Sequence, residues 1–141
     1  MHEFRVLADL VTAGAPVPRP VAAQVRRSGR FYRGDILVER VRDAETLASI
    51  ARGLDESRWA EVGHAIRRFH EAGGWHADLN ANNILVTPDR VVIIDLDRGR
   101  SGCRNRRKQR ANLDRLLRSL RKLRLMPAAE AGWRALLEGY G

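Results

Sequence analysis

The 141-residue sequence predicts an α+β fold, in which a short portion with one helix and two strands precedes a mostly helical portion. Three observations lead to this prediction. Apolar residues recur every three or four positions in several segments, which is typical of amphipathic helices. Two runs with valine, isoleucine and aromatic residues flank Ser28-Gly29 and indicate paired strands. A polar loop from Trp75 to Asn83 then leads into two short apolar strands.

Residues 1–41 are expected to form a partial N-terminal lobe, made of one helix and the two strands after it. The apolar positions of the helix are Phe4, Leu7, Leu10 and Val11. The helix is predicted to end at Gly14, because the proline-rich stretch that follows cannot lie inside a helix. The predicted strands are Val21–Val25 and Phe31–Val41. So small a lobe is expected to leave apolar surface and sheet edges exposed.

Residues 42–141 are expected to form a C-terminal lobe of helices around a small hairpin. A short helix is predicted over residues 43–51. A longer helix is predicted to begin at a capping Ser57 and to end at Gly73-Gly74. The apolar face of this longer helix carries Trp59, Val62, Ile66 and Phe69. His64 and His70 of the same helix are expected to lie at the surface.

The predicted hairpin has the strands Ile84–Thr87 and Val91–Asp95, joined by a turn with proline. A helix with a leucine stripe follows it, and Pro127 is predicted to break that helix. The stripe consists of Leu113, Leu116, Leu117, Leu120 and Leu123. A last short helix carries Trp133, Leu136 and Leu137.

Positive charge is concentrated in one stretch of the chain. The net charge is +9, and the segment Arg98–Arg124 alone holds twelve Lys or Arg residues and one acid, Asp114. This basic segment favours a polyanionic partner, such as nucleic acid, anionic lipid or a phosphorylated glycolipid. A solvated arginine-rich face is the alternative interpretation.

The remaining composition narrows the class of protein. No apolar run reaches the roughly 20 residues that span a bilayer, and the first residues do not have the pattern of a secretion signal. The single cysteine, Cys103, cannot form an internal disulfide, which suits a reducing cytoplasm. The sequence therefore predicts a cytoplasmic globular domain.

Three side chains are predicted to converge where the polar loop meets the hairpin: Asp78, Asn83 and Asp95. Phosphoryl transfer from ATP needs a carboxylate that orients the attacking hydroxyl and oxygen ligands that hold Mg²⁺ against the phosphates. Asp78 suits the first task, and Asn83 and Asp95 suit the second. A turn acid and a strand-end acid are the alternative interpretation of the two aspartates. His76 is expected to hold the loop by hydrogen bonds.

The loop His76–Asn83 resembles the protein-kinase catalytic loop, His-x-Asp-x-x-x-x-Asn, and Asp95-Leu96-Asp97 resembles the metal-binding motif of those enzymes. Two departures are informative. Ala77 replaces an arginine, which argues against activation by loop phosphorylation. Asp97 replaces a glycine, as in many small-molecule kinases. Both departures point away from protein substrates.

The residues of both motifs resemble those of the lipopolysaccharide kinase family, and within this family they are most similar to the members that act on the sugar Kdo. The resemblance extends over nearly the whole chain, including the linker Pro16–Pro20 and the leucine-stripe helix. It implies ATP- and Mg²⁺-dependent phosphorylation of a hydroxyl of Kdo on a lipid A precursor, at the cytoplasmic face of the inner membrane. The basic segment suits a peripheral contact with that anionic surface.

The resemblance also implies residues that bind the nucleotide. Glu3 matches the helix glutamate that pairs with an ATP-binding lysine. Backbone groups of Glu39 and Val41 match those that hydrogen-bond adenine, and Leu85 matches the floor beneath the base. A core leucine is the alternative interpretation of Leu85. Asp78 matches the catalytic base, and Asn83 and Asp95 match the metal ligands.

The chain has neither a glycine-rich phosphate loop nor a lysine before Lys108, and a kinase needs both. We therefore expect the 141 residues alone to bind ATP weakly or not at all. The chain resembles a kinase without its first strands, either through truncation or through a wrongly chosen start codon. Two alternatives stay open: a small kinase associated with tRNA modification, and an inactive remnant that serves as a basic binding module. Nucleic acid is the less favoured partner, and no obligate protein partner is implied.

Overall fold

The computed structural model describes residues 1–126 and 128–141, so the predicted helix break at Pro127 lies outside the described residues. Within these ranges the chain is a mixture of helices and strands, as the sequence predicts. In chain order they are α1 (His2–Thr12), β1 (Pro20–Ser28), β2 (Phe31–Val38), β3 (Glu45–Thr46), α2 (Leu47–Ile50), α3 (Glu56–Glu71), β4 (Ile84–Val86), β5 (Val91–Ile93), α4 (Arg106–Lys122) and α5 (Glu130–Tyr140). None of these helices is long and apolar enough to cross a bilayer.

The first two strands form a separate antiparallel hairpin that follows α1. Ser28 pairs with Phe31, so the turn between them has two residues, and Gly29 adopts the positive φ of +60° that short hairpin turns require. The expected exposed apolar surface is present on this hairpin. Its exposed large side chains are Val21, Val25, Phe31, Tyr32, Leu37 and Val38.

The second sheet has the order β3-β4-β5 and lies among the helices. Ile84 pairs with Ile93 and Val86 with Val91, and all four side chains are buried. The backbone N–H of Ile93 donates to the carbonyl of Pro16 at 2.8 Å. The linker after α1 is therefore joined to the strand that leads to Asp95.

Two predicted helix boundaries are wrong. The helix expected over residues 43–51 is only the single turn of α2, because Glu45 and Thr46 pair with β4 and extend the sheet instead. Asp55, not Ser57, caps α3: its carboxylate accepts the backbone N–H of Arg58 at 2.9 Å. Both residues can cap a helix, and Asp55 has the three-residue offset that this hydrogen bond needs.

Helix α3 packs closely against α5 in the helical portion. Gly63 lies directly against the backbone carbonyl of Leu136, where an added Cβ would not fit. The predicted apolar face of α3 is buried, including Trp59 and Phe69. Gly73 then ends the helix with a φ of +84°, and this turn directs the chain into the polar loop.

Candidate active site

His76 holds the polar loop against the hairpin, as the sequence predicts. The ring is buried, and its Nδ1 accepts the backbone N–H of Asp78 at 3.0 Å. An amide can only donate, so Nε2 carries the proton and donates to the carbonyl of Ile94 at 2.8 Å. Burial lowers the pKa of His76, which keeps this neutral tautomer. One imidazole thus links Asp78 to the residue before Asp95.

A buried polar network supports the loop from below. The Asn112 amide on α4 donates from Nδ2 to the His76 carbonyl at 2.7 Å, and its Oδ1 accepts the His76 backbone N–H at 3.2 Å. The same Oδ1 accepts from Nε2 of His70 at 3.2 Å, and Nδ1 of His70 bonds the Tyr140 hydroxyl at 2.9 Å. α3, α4 and α5 are therefore joined to the polar loop.

The expectation that His70 lies at the surface is wrong, whereas His64 is exposed as expected. His70 is 2% exposed, and burial lowers its pKa to about 4. The reason is tertiary: its partners Asn112 and Tyr140 come from helices that are distant in sequence and cover this side of α3.

The Asp78 carboxylate is held by two neighbours. Oδ2 accepts from the Asn80 amide at 3.1 Å, and Oδ1 forms an ion pair with Arg115 of α4 at 3.1 Å. The side chains of Arg115 and Asp78 are 47% and 49% exposed. The carboxylate is thus oriented but still open to solvent, as a group that receives a proton from a substrate must be.

Asn83 and Asp95 lie at adjoining ends of the loop and the hairpin. The Asn83 carbonyl accepts the backbone N–H of Ile94 at 3.0 Å, and its side-chain Nδ2 donates to the Asp78 carbonyl at 3.0 Å. The Oδ1 of the amide is thereby left for another ligand. Asp95 is exposed and has a φ of +64°, a left-handed conformation that aspartate adopts more readily than most residues.

A cavity of about 260 Å³ brings the predicted nucleotide residues together. Its walls include Glu3, Glu39, Val41, Leu85 and Asp95. Leu85 is half-buried there, so its side chain is not wholly part of the core. The cavity therefore joins the first helix, the segment after β2, the strand β4 and the end of the catalytic hairpin.

The side chain of Glu39 is engaged in ion pairs, whereas part of its backbone is not hydrogen-bonded. Its carboxylate pairs with Arg19 at 2.7 Å and with Arg90 at 2.6 Å, and these hydrogen bonds lower the pKa of Glu39. Its N–H donates to the Arg19 carbonyl at 2.8 Å. Among the described residues, no hydrogen bond involves the Glu39 carbonyl or the Val41 N–H. These are an acceptor and a donor two residues apart.

Negative charge accumulates on the other side of the cavity. Glu3 is half-buried, and its pKa is raised by that burial and by the nearby charges of Asp95 and Asp97. Within residues 1–126 and 128–141, no group of three or more His, Cys, Asp or Glu is placed to hold a metal ion by itself. Asn83 and Asp95 stay the predicted Mg²⁺ ligands; so few protein ligands suit Mg²⁺, for which phosphate and water oxygens would complete the coordination.

A larger cavity, of about 680 Å³, lies between α3, α4 and α5, where Arg67, Arg106 and Arg110 line it. It contains none of the predicted catalytic or metal-binding residues. The chemistry of the smaller cavity, and not its size, therefore defines the candidate active site.

Comparison with known proteins agrees with this fold and identifies the family. Residues 1–140 match the Lipopolysaccharide kinase (Kdo/WaaP) family, and the chain belongs to this family. Two relatives are named 3-deoxy-D-manno-octulosonic acid kinase. The one from Xylella fastidiosa is 43% identical over 134 residues, which cover 94% of this chain and 54% of the relative. The one from Stenotrophomonas maltophilia is 46% identical over 126 residues, which cover 86% of this chain and 50% of the relative.

A solved structure, WaaP in complex with acyl carrier protein, has the same fold with a TM-score of 0.75 and 21% identity. It matches 99% of this chain and 64% of the solved one. The chain spans about half the length of the curated relatives it matches. The predicted kinase-like fold and the family resemblance are thus confirmed. The family match also argues against the tRNA-associated kinase.

Sequence reasoning missed two residues that shape the site. Asn112 had a usable signal, because it is a polar residue directly beside the buried leucines of α4. Arg115 had no such signal, since it is one of twelve basic residues in the basic segment and only the fold brings it to Asp78.

Proposed function

We propose that this chain is the catalytic half of an ATP-dependent kinase that phosphorylates a hydroxyl of Kdo on a lipid A precursor. One observation carries the proposal most directly. The Asn83 side chain donates to the backbone carbonyl of Asp78, and the Asn83 carbonyl accepts from Ile94, the residue before Asp95. Asp78 and Asp95 are thereby held near each other, and Asp95 lines a cavity that both predicted adenine-binding segments share. Residues 1–41 would form the partial N-terminal lobe over that cavity, and residues 42–141 the C-terminal lobe.

In the proposed reaction the acceptor hydroxyl oxygen bonds to the γ-phosphorus of ATP while the bond from that phosphorus to the bridging oxygen of ADP breaks. Asp78 accepts the proton of the hydroxyl. The hydrogen bond from the Asn80 amide holds the carboxylate in one orientation, so the hydroxyl is aligned before the transfer. ADP and the phosphorylated sugar are the products.

Magnesium, when bound, would neutralise the charge that develops on the transferred phosphate oxygens. Asn83 would contribute Oδ1 and Asp95 a carboxylate oxygen. The adjacent Glu3 would pair with a cation near the phosphates. Burial and, after it, the charges of Asp95 and Asp97 raise the pKa of Glu3, and a bound cation would offset both effects. A lysine partner for Glu3 would have to come from outside these 141 residues, because none precedes Lys108.

The nucleotide base would bind between the Glu39–Val41 segment and Leu85. The Glu39 carbonyl can accept from the exocyclic amine of adenine, and the Val41 N–H can donate to a ring nitrogen. Leu85 would contact the face of the base. These contacts are the ones left available, since the Glu39 side chain and N–H are already engaged.

The basic segment Arg98–Arg124 supports a location at an anionic membrane surface. Most of its Arg and Lys side chains are exposed on α4 and the loop before it. Each basic residue near such a surface contributes roughly 1 kcal/mol of attraction. We propose a peripheral position on the cytoplasmic face of the inner membrane, with no obligate protein partner and no nucleic acid.

The test measures transfer of the label from γ-labelled ATP, in the presence of Mg²⁺, to two acceptors: a lipid A precursor with Kdo and the same precursor without it. ATP is kept saturating, because weak nucleotide binding is expected. Transfer is expected only to the acceptor that bears Kdo. Asp78→Asn should lower the rate by roughly 10²- to 10⁴-fold, the usual contribution of a general base. Asp89→Asn, an exposed acid in the hairpin turn, is the matched control and should keep the rate.

Equal labelling of both acceptors, or full activity of Asp78→Asn, would contradict the proposal. A chain that binds nucleotide but labels neither acceptor would favour the alternative of a basic binding module.

A further inference from the structure

A second cleft adjoins Asp78 and shares none of its lining residues with the nucleotide cavity. It has a volume of about 340 Å³ and lies between the catalytic loop and α4. The loop contributes Asp78, Asn80 and Asn82, and α4 contributes three cations. Those cations are Arg115, Arg118 and Lys122. Their spacing of three and four residues puts them on one face of the helix.

The walls of this cleft are fixed to each other. The backbone N–H of Ala81 donates to the Ser119 hydroxyl at 2.9 Å, which joins the loop to the same face of α4. The Asn80 side chain is also engaged, because its Oδ1 accepts the Asn82 N–H at 2.9 Å and its Nδ2 donates to Asp78. The cations are therefore presented at a defined position relative to the catalytic carboxylate.

The residues that line the cleft carry a net positive charge, which favours binding of an anion. Of the lining residues in the described part of the chain, Asp78 is the one acid against three bases. Asp78 pairs with Arg115, but both side chains are about half exposed, and ion pairs of that kind contribute little to stability. An incoming anion can therefore replace Asp78 as the partner of Arg115 at small cost.

We propose that this cleft binds the carboxylate of the acceptor sugar acid, and that this carboxylate displaces Asp78 from Arg115. This inference rests on the proposed function, because it assigns the acceptor subsite of that reaction. A sugar acid has its carboxylate and its hydroxyls on one small molecule, so binding the carboxylate beside Asp78 brings a hydroxyl to Asp78. The displaced Asp78 oxygen is then free to accept the hydroxyl proton. An acceptor without the anion would leave Asp78 paired.

The phosphates of a lipid A precursor are the other anionic source for the same cations. They are attached to different sugars from the one that is phosphorylated, so they are less suited to a cleft that directly adjoins the catalytic base. The basic residues elsewhere in the segment Arg98–Arg124 are open to them. The three cations of the cleft are thereby assigned to specificity for an acidic sugar.

The experiment titrates the protein with free Kdo, with its methyl ester and with inorganic phosphate, without ATP, and follows the side-chain amide signals of Asn80 and Asn82 by NMR. Free Kdo is expected to shift both signals. The ester lacks the negative charge, so we expect the parent protein to bind it at least roughly tenfold more weakly than free Kdo. We expect the Arg118→Ala variant to bind free Kdo more weakly than the parent by a similar factor. Arg118→Lys should restore part of the affinity. Arg134→Ala, an exposed arginine of α5 outside the basic segment, is the charge-matched control and should bind like the parent.

Kinetics supply a second readout for the positioning residue Arg115. Arg115→Ala should raise KM for the Kdo acceptor roughly tenfold and leave KM for ATP unchanged, because the nucleotide cavity does not include it. Equal binding of Kdo and its ester, or shifts produced by phosphate alone, would overturn the assignment. Because Kdo binding is measured without phosphoryl transfer, a failed kinase assay with Kdo bound in the cleft would reject the proposed function and keep this subsite.

Discussion

Buried His70 makes the stability of this protein depend on pH in a defined direction. Burial lowers its pKa in the folded protein from 6.5 to about 4. Between those values the unfolded chain binds a proton that the folded protein excludes. The contribution of neutral His70 to stability is therefore complete above pH 6.5 and is lost progressively as the pH falls toward about 4.

The magnitude follows from the size of this shift. One pKa unit corresponds to about 1.4 kcal/mol, so the complete loss is about 3 kcal/mol. Most of it occurs at moderately acidic pH: the linkage relation gives a loss of about 2 kcal/mol between about pH 7 and about pH 5. That is a large part of the stability of a small domain.

The assay compares the free energy of unfolding in urea at these two pH values for the parent, His70→Gln and His64→Gln. His70→Gln is expected to be less stable at neutral pH but to lose about 2 kcal/mol less than the parent on acidification. His64 is exposed on the same helix, so His64→Gln should follow the parent. Carboxylates and His76 titrate in all three proteins and cancel. An equal loss in the parent and His70→Gln would refute the assigned burial.

Two further substitutions test the packing that positions the site. Asn112→Ala leaves the buried His76 backbone groups and the His70 ring without their hydrogen-bond partner. It should therefore lower the free energy of unfolding, measured with heat or urea, by about 3 kcal/mol or more, and broaden the amide NMR signals of the polar loop. Unchanged signals from the loop would contradict the proposed support by Asn112. Gly63→Ala inserts a methyl group against the Leu136 carbonyl and should cost about 1–3 kcal/mol. Gly53→Ala, where the added carbon meets nothing within 4 Å, is its control and should be near neutral.

The order of the elements could be predicted because it depends on local patterns. The periodicity of apolar residues identified α1, α3 and α4, and the proline-rich linker and Gly73 marked where helices end. The spacing of Asp78, Asn83 and Asp95 identified the candidate site, because a short loop and a tight hairpin constrain where those residues lie. Chain geometry over about twenty residues is enough for such predictions.

The errors concern features that only tertiary contacts decide. His70 looked like a polar residue on a surface helix, and its burial depends on Asn112 and Tyr140, which lie 42 and 70 residues further along. The same holds for Arg115, whose approach to Asp78 spans 37 residues. The strand at Glu45 formed instead of a longer helix because β4 offered an unpaired edge, which local propensity does not register.

The most direct test of the central claim uses Mn²⁺ with a non-hydrolysable ATP analogue, because a paramagnetic ion broadens NMR signals close to it even when binding is weak. We expect selective broadening of the Asn83 side-chain amide and of the backbone amides around Asp95, with shifts at Val41 and Leu85 from the base. Asp95→Asn should abolish the broadening. Broadening that is confined to the basic segment, or that persists unchanged in Asp95→Asn, would contradict a metal–nucleotide site formed by Asn83 and Asp95.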